Sequence, residues 1–296
     1  MALTCLTEKY GISTTCDTRI DITATKIFFL SLPGTTFTGA TDFATEATWK
    51  TKIAAGLIFP IKGIVEVEGQ DGENVYQETS YQDKILLLEG RRGAKHMVQM
   101  PLDQYKIARG YNSKTWEVFT SDILGNLIGV ENADGTIQGR SLSYFHVNSL
   151  PTATADTALL PAFEYIEGNV DEFNRRGAYL NPSDVWSPSS LDGPLKVVTS
   201  SSTVSTNVFT TAVSYVNDSK YQSDGDTNTE VIAGLVIGNF EVINQAGVVI
   251  TPTSITETAV LGTYTVTCAA ITSGSIQVVA TSTAMYQSEV EAVAAA

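Results

Sequence analysis

The sequence has few of the residues from which most active sites and metal sites are built. Its 296 residues include two histidines, His96 and His146, and three cysteines, Cys5, Cys16 and Cys268. Three cysteines cannot form a disulfide framework, and none has the CxxC spacing of a zinc site. We therefore expect no catalytic residues, no metal and no cofactor, and we expect that the protein is not an enzyme.

Basic residues and long apolar runs are also scarce. The chain has 18 Lys and Arg against 32 Asp and Glu, which gives a net charge of −14. This balance disfavours binding to nucleic-acid phosphates and to anionic membranes, because both need clustered cations. The longest apolar runs, such as 27–30, are far shorter than the ~20 residues of a membrane-spanning helix. The N-terminus lacks the pattern of a secretory signal. We expect a protein that is made in a reducing cytosol and does not insert into membranes.

What the sequence does contain is a change in composition near residue 194. Residues 1–194 carry 16 basic and 24 acidic side chains, whereas 195–296 carry 2 and 8, together with 12 Ser and 17 Thr. The segment 181–194 holds three prolines and a Gly-Pro pair, which interrupt helices and central strands. We predict a domain over 1–180, a linker over 181–194 and a second domain over 195–296.

Short alternating runs predict strands in both domains. About seven of them in the second domain, including 231–237 and 262–268, fit a two-sheet sandwich. In the first domain the turn signal at 132–135 predicts a hairpin, and the continuous apolar run 84–89 predicts a strand that is buried on both faces. Helices are predicted only at 42–55, 103–109 and 162–174. The fold should be mainly β, with one to three short helices.

Each candidate catalytic residue also has a structural interpretation without catalysis. His96 and His146 lie on or beside β segments, where a surface or hydrogen-bonded role is commoner than catalysis. Glu66 and Glu68 share one face of a predicted strand at roughly 7 Å, a separation compatible with glycosidase chemistry but also typical of any solvated strand. Further acidic residues are predicted to line a charged helix or loop face: Glu164, Glu167, Asp171 and Glu172.

Two loops invite a binding interpretation. Residues 224–230 resemble a calcium loop, but Thr229 replaces the required Gly and Leu235 replaces the bidentate Glu, so an EF-hand is rejected. A looser cation site and a plain exposed loop both stay open. The basic cluster 90–96 lacks a phosphate-loop pattern, and we favour its pairing, like that of residues 175–176, with carboxylates of a neighbouring subunit.

Two groups of motifs resemble known virion proteins. Residues 118–129 (VFTSDILGNLIG), followed by 134–139 (DGTIQG), resemble the hairpin phrases of phage tube proteins. Residues 239–242, 247–252 and 262–267 (GTYTVT) resemble immunoglobulin-like modules of bacteria and phages. The chain therefore resembles a structural protein of a tailed bacteriophage, most closely a tail tube (major tail) protein with a C-terminal immunoglobulin-like domain.

This resemblance implies a tube-type β barrel or sandwich at the N-terminus and an immunoglobulin-like β sandwich at the C-terminus. It also implies a virion protein that assembles in the host cytoplasm into rings, expected to be hexameric, that stack as a tail tube. The acidic lumen would let DNA pass without specific binding. The C-terminal domain would decorate the outside, and neighbouring virion proteins would be the other partners. The alternative is a capsid-decorating or receptor- or glycan-binding β protein.

Overall fold

The fold is described from a computed structural model of the chain. It describes residues 25–78, 84–150, 160–169, 172, 176–180, 186–205, 207–215, 231–244, 246–269, 273–281, 283–284 and 286–294. The fold is mainly β, as the sequence predicts, and one sheet curls into a half-barrel. The chain divides into two compact units, the first ending at Leu191 apart from residues 50–56, which group with the second unit from Asp192 onward.

The first unit is built on strands, most of which pair with strands that are not adjacent to them in the sequence. Its strands are β1 (Thr25–Ser31), β2 (Thr36–Phe37), β3 (Ile58–Ile61), β4 (Ile64–Gly69), β5 (Val75–Glu78), β6 (Lys84–Leu88), β7 (Gly93–Val98), β8 (Glu117–Asp122), β9 (Leu127–Glu131), β10 (Ile137–Gln138), β11 (Arg140–Val147), β12 (Ala162–Glu167) and β13 (Gly177–Leu180). The helices are α1 (Ala40–Phe43), α2 (Glu46–Ala54) and α3 (Leu102–Arg109). The part of α2 from Lys50 onward groups with the second unit.

Most of these strands form one large sheet in the order β2-β10-β9-β8-β11-β12-β7-β4, with β1 between β8 and β3 and with β13 on β9. Its core includes the fully buried side chains of Phe28, Leu30, Val118 and Phe163. A second set of buried aromatic rings lies within 5.6 Å of a neighbouring ring, centroid to centroid: Phe29, Phe37, Phe43, Trp49 and Phe119. These apolar contacts stabilise the large sheet.

Strands β4 to β7 form one long hairpin with two different environments. Its inner half, β4 paired with β7, belongs to the large sheet, whereas its outer half, β5 paired with β6, is a separate two-stranded sheet. Two backbone hydrogen bonds join the halves, from the Gln70 amide to the Gly93 carbonyl and from the Gly72 amide to the Arg91 carbonyl. We call the pair β5 and β6 the arm. The prediction that 84–89 is buried on both faces is wrong, because every residue of β6 is exposed.

The helix predictions had mixed outcomes. The helix at 103–109 is confirmed as α3, and the 42–55 segment forms two helices with a break at Ala44 and Thr45. The helix expected at 162–174 is wrong, because 162–167 forms β12 between β11 and β7. Apart from Ala162, its buried residues Phe163, Tyr165 and Glu167 recur at every second position, which is the period of a strand. The hairpin predicted at 132–135 is confirmed between β9 and β10.

The second unit is a two-sheet sandwich in the part that the structure describes. Its strands are β14 (Leu195–Ser205), β15 (Val208–Tyr215), β16 (Phe240–Asn244), β17 (Val249–Ile250), β18 (Ser254–Glu257), β19 (Thr263–Thr267), β20 (Ser273–Val278), β21 (Tyr286–Ser288) and β22 (Glu291–Ala294). The sheets run β18-β19-β15-β14-β21 and β17-β16-β20-β22 around a core that contains Phe209, Val213 and Val242, and Cys268 is buried in that core. The strand predicted at 231–237 is wrong, since this stretch makes only an isolated bridge at Val231.

The predicted linker 181–194 contains the point where the two units divide. Its described residues from 186 onward include a short 3-10 helix, Pro188–Ser190. The indole nitrogen of Trp186 donates a hydrogen bond to the Ala44 carbonyl at 2.8 Å, and Leu191 is fully buried. This end of the segment therefore packs as part of the first unit.

Candidate functional site

The arm carries six of the exposed large apolar side chains of the first unit. Its exposed apolar side chains are about half accessible to solvent: Val75 47 %, Tyr76 50 %, Ile85 51 %, Leu86 48 %, Leu87 58 % and Leu88 63 %. Tyr76 pairs with Leu86 on one face, while Ile85 and Leu87 point to the other face because successive residues of a strand alternate. Both faces of the arm are therefore apolar and open to solvent.

The arm also leaves backbone groups open. Within the described residues β5 pairs only with β6, so each strand has one unpaired edge. A two-stranded hairpin alone in water is only marginally stable, and open apolar edges are templates for pairing with another chain. At the outer end the Lys84 ammonium lies 3.6 Å from the Glu78 carboxylate, and both side chains are exposed. The arm has the composition and geometry of a protein-binding element.

Strand β4 continues this open surface into the large sheet. In the described part of the chain it pairs only with β7, and it exposes Val65 (60 %) and Val67 (37 %). Glu66 and Glu68, the pair predicted from the sequence, are both exposed on this strand, and Glu68 forms an ion pair with Lys95 at 3.0 Å. This is the arrangement of a solvated strand.

A small polar cavity of about 200 Å³ lies at the base of the arm. Its lining includes Gly69, Asp71, Arg92, Arg140 and Glu167. The Arg140 Nη1 atom lies 2.7 Å from Glu167 Oε1, and the two side chains are only 6 % and 3 % exposed. Arg140 also donates to the Thr120 hydroxyl at 3.1 Å. The opposite charges of Arg140 and Glu167 neutralise each other. Through these contacts Arg140 connects β8, β11 and β12, so the pair stabilises the sheet rather than supplying a reactive group. Glu167 therefore does not lie on the charged helix or loop face expected from the sequence.

The two histidines differ in burial. His96 is fully buried, stacks on Phe28 at 4.9 Å and on Tyr165 at 5.5 Å, and makes no hydrogen bond with the described residues. Burial, with the nearby Arg140 charge, lowers the pKa of His96 to about 4. The expectation of a surface or hydrogen-bonded role is wrong for His96, which is a neutral core residue. His146 is half-buried and stacks on Tyr144 at 6.1 Å.

Two buried carboxylates lie at the start of β8 and β11. Glu117 accepts a hydrogen bond from the Gly34 amide at 3.1 Å, and Glu172 accepts from the Ser141 amide and hydroxyl at 3.0 and 2.7 Å. Glu117 and Ser141 are paired across these strands. Burial raises the pKa of Glu117, the Gly34 hydrogen bond lowers it, and the Glu172 charge raises it further. Glu172 is buried, contrary to its predicted place on a charged surface.

The remaining sequence candidates that lie in the described part of the chain form no second site. Lys95 of the basic cluster 90–96 pairs with Glu68, and Arg176 lies 3.7 Å from Glu172, so both have carboxylate partners within the chain. Glu164 is half-buried on β12. Asp171, Arg175 and the loop 224–230 lie outside the described residues. The exposure of the arm was missed because a continuous apolar run predicts a buried strand.

The second unit presents two adjacent loops held by one carboxylate. Glu257 accepts hydrogen bonds from the Gly234 amide at 3.1 Å and from the Gly262 amide at 2.7 Å. The buried Tyr264 hydroxyl donates to the Ile232 carbonyl at 2.6 Å. The loops expose the apolar side chains of Val231, Val236, Ile237, Val260 and Leu261. This end of the sandwich is a smaller apolar surface on a fixed frame.

No protein-family model matches the sequence, and no curated protein is significantly similar to it. Over the described residues, no group of three or more His, Cys, Asp or Glu side chains is placed to hold a metal ion. No helix in that part of the chain is long and apolar enough to cross a membrane.

Proposed function

We propose that this chain is a structural protein that self-assembles, and that the arm is a principal contact between copies. The observation that carries the proposal is the arm itself, a two-stranded ribbon whose six large apolar side chains are each about half exposed. Fully burying one such side chain is worth roughly 1.5–3 kcal/mol, so covering the exposed half of six would contribute about 6 kcal/mol. Backbone pairing at the open edges would add to this gain, and both terms oppose the entropy cost of association.

We further propose that the assembly is a stack of rings that forms a tail tube in a phage virion. The tube-like motifs at 118–129 and 134–139 support this form, and residues 126–129 and 134–138 lie on or next to the β8–β9–β10 hairpins of the large sheet. The open edge of β4 supports lateral pairing between copies, because the unpaired N–H and C=O groups of an edge strand can pair with another chain. The net charge of −14 suits a lumen that does not retain DNA.

A second candidate function is binding of a receptor or glycan by the second unit. The exposed apolar loops around Glu257 favour it, because loops at the end of a sandwich commonly form binding sites. The two functions are compatible, since a tube subunit could carry such a unit on its outer surface. Deleting residues 195–296 separates them: particles that form but no longer bind cells or glycans would assign binding to this unit.

Negative-stain microscopy of the purified full-length protein tests the proposal. We expect rings or hollow tubes, and their axial repeat and symmetry would then give the subunit count. A matched pair of variants assigns the contact. Leu86→Ser with Leu88→Ser should abolish the particles, whereas Val248→Ser with Val249→Ser, an equally exposed pair in the second unit (56 % each), should leave them unchanged. Single subunits under all conditions would contradict the proposal.

A further inference from the structure

Strand β4 has a free edge on which acidic and apolar side chains alternate. In the described residues β4 pairs with β7 on one side and with no strand on the other. Val67 is opposite the buried His96 and Glu68 is opposite Lys95, so Val67 and Glu68 lie on different faces of the sheet. Glu66 and Glu68 share the face of Lys95, and both are exposed. The backbone N–H and C=O groups of such an edge can pair with another strand.

Two copies of this edge are poorly matched to each other. Antiparallel pairing of β4 with β4 about a two-fold axis puts Glu66 opposite Glu68 when Val67 is at the centre. The registers centred on either glutamate put that glutamate opposite itself. Like charges directly opposite each other destabilise a pair of strands. The edge is therefore suited to a different strand, one that carries a basic residue where it faces a glutamate.

The free edge of β6 in the arm has this pattern. It begins with Lys84, and the next four residues, Ile85 to Leu88, are apolar and exposed. Lys84 lies 3.6 Å from Glu78 of its own chain, but the two side chains are 65 % and 71 % exposed, so the ammonium is open to a second carboxylate. The other edge of the arm, β5, ends in Glu78 and has no basic residue. Of the two edges of the arm, β6 is therefore the one with a charge complementary to β4.

We propose that β6 of one copy pairs antiparallel with β4 of a second copy, with Lys84 opposite Glu68. The inference rests on the proposed self-assembly and names the surface that receives the arm. In this register one pair is mixed, Leu86 with Glu66. Three further pairs are apolar: Ile85 with Val67, Leu87 with Val65, and Leu88 with Ile64.

The irregularities of the two strands coincide in this register. Val65 is an extra residue in β4 relative to β7, and Leu87 is an extra residue in β6 relative to β5. A bulge normally puts two residues of one strand against one residue of the next and bends the bulged strand. Because Val65 and Leu87 fall opposite each other, the ladder between β4 and β6 keeps one residue against one residue through this point.

The partner strand belongs to another copy of the chain. Within one chain β4 ends at Gly69, where the arm continues outward, and residues 89–92 join β6 to β7, which already lies beside β4. Strand β6 therefore lies beyond the end of its own β4 and cannot pair with it. Because β4 runs toward the arm and β6 runs back from the arm, antiparallel pairing makes the two copies point the same way. Each copy keeps one free arm and one free β4 edge, so the contact repeats through an assembly.

A cross-link tests the register directly. In a background with Cys5, Cys16 and Cys268 replaced by Ala, one chain carries Val67→Cys and a second, co-expressed chain carries Ile85→Cys. Directly opposite residues of antiparallel strands have Cα atoms about 4.5–5.5 Å apart, which is within the range of a disulfide. We expect a two-chain product from the mixture under oxidation and none from either variant alone. The control replaces Ile85→Cys with Leu86→Cys, whose side chain lies on the other face, and it should give no product.

Two results of the cross-link would overturn the inference. A product from Val67→Cys alone or from Ile85→Cys alone, with none specific to the mixture, would mean that like surfaces meet. Wild-type particles that form without any 67–85 product in the mixture would overturn this inference and leave the proposed function standing. A wild-type protein that stays monomeric at all concentrations would overturn both.

A charge reversal tests the contact without added cysteines. Lys84→Glu puts a carboxylate opposite Glu68 and should raise the concentration at half-assembly about tenfold, measured by light scattering. The matched control is Lys26→Glu, which makes the same change of charge at an exposed residue of β1. Adding Glu68→Lys to Lys84→Glu restores opposite charges at the contact and should recover most of the loss. Equal weakening by Lys84→Glu and Lys26→Glu, or no recovery in the double variant, would overturn the inference.

Discussion

The guanidinium of Arg140 and the carboxylate of Glu167 form a buried ion pair across two neighbouring strands, with Nη1 and Oε1 2.7 Å apart. The pair lies in the lining of the cavity at the base of the arm. Because neither charge has ready access to water, each depends on the other for its stability inside the sheet. The buried ion pair therefore stabilises the large sheet at the base of the arm. The arm itself, β5 and β6, forms a separate two-stranded sheet.

Replacing Glu167 with Gln should destabilise the protein by about 3 kcal/mol, since it leaves the Arg140 charge buried without a counter-charge. The matched control is Glu68→Gln, which removes one half of the exposed ion pair with Lys95 and should cost less than about 1 kcal/mol. Urea unfolding at pH 7 measures both free energies. Equal losses of unfolding free energy in the two variants would show that the buried Arg140–Glu167 pair contributes no more to stability than the exposed Glu68–Lys95 pair.

The buried His96 should make stability fall on acidification. Its pKa is about 4 in the folded chain against the ordinary histidine value of 6.5, so the unfolded chain binds the additional proton between these pH values. Its contribution is constant above pH 6.5 and decreases by about 3 kcal/mol as the pH falls to 4.

The control for this effect is His96→Phe, which keeps an aromatic ring beside Phe28 and Tyr165 but cannot take up a proton. The difference in unfolding free energy between wild type and variant should depend on pH in the 4–6.5 range and be flat above it. A difference that is the same at pH 4 and pH 7 would contradict a buried neutral imidazole.

Glu117 should have the opposite pH dependence. Its pKa is raised, mainly by burial, so protonation favours the folded chain and this contribution is lost as pH rises through the raised pKa. Glu117→Gln retains an oxygen that can accept the Gly34 hydrogen bond and removes the charge. The variant should be more stable than the wild type by about 1 kcal/mol at pH 7, a typical size for a buried polar group. Its advantage should vanish in acid, where the wild-type carboxyl is neutral, and a variant less stable at pH 7 would argue against this account.

The loop frame of the second unit depends on a close contact at Gly262. A Cβ atom there would lie 2.5 Å from the Val231 Cβ, and the backbone φ is +72°. Gly247 has nearly the same φ, +75°, but no atom within 4 Å of its position for a Cβ. Gly247→Ala should therefore cost about 1–2 kcal/mol for backbone conformation alone, and Gly262→Ala should cost clearly more. Thermal unfolding compares the two variants. Equal shifts in Tm would mean that the loop at Val231 moves away from the new Cβ atom at little cost in free energy.

Local signals predicted local structure well in this chain. Pro101 precedes α3 and the Asp134-Gly135 turn joins β9 to β10, and both elements form where the sequence places them. The turn is specified locally because Gly135 adopts a φ of +82° and its amide bonds to the Asn132 carbonyl. Such features depend on a few consecutive residues and need no knowledge of the rest of the fold.

Features that depend on distant partners could not be predicted in the same way. Arg140 and Glu167 are 27 positions apart and meet only because β11 pairs with β12. The same pairing makes a strand of 162–167, although its composition also permits a helix. The run Ile85 to Leu88 is apolar enough for a core, and the sequence does not say whether its cover comes from this chain or from another.

The central claim is that the exposed arm joins copies of this chain, and the mass of the full-length protein in solution tests it most directly. Light scattering should be measured over a concentration series for the wild type, for Leu86→Ser with Leu88→Ser, and for the control Val248→Ser with Val249→Ser. We predict that the wild type and the control form the same large particle and that the arm variant loses it. If all three stay monomeric, or if the arm variant assembles like the wild type, the arm is not the contact that builds the assembly.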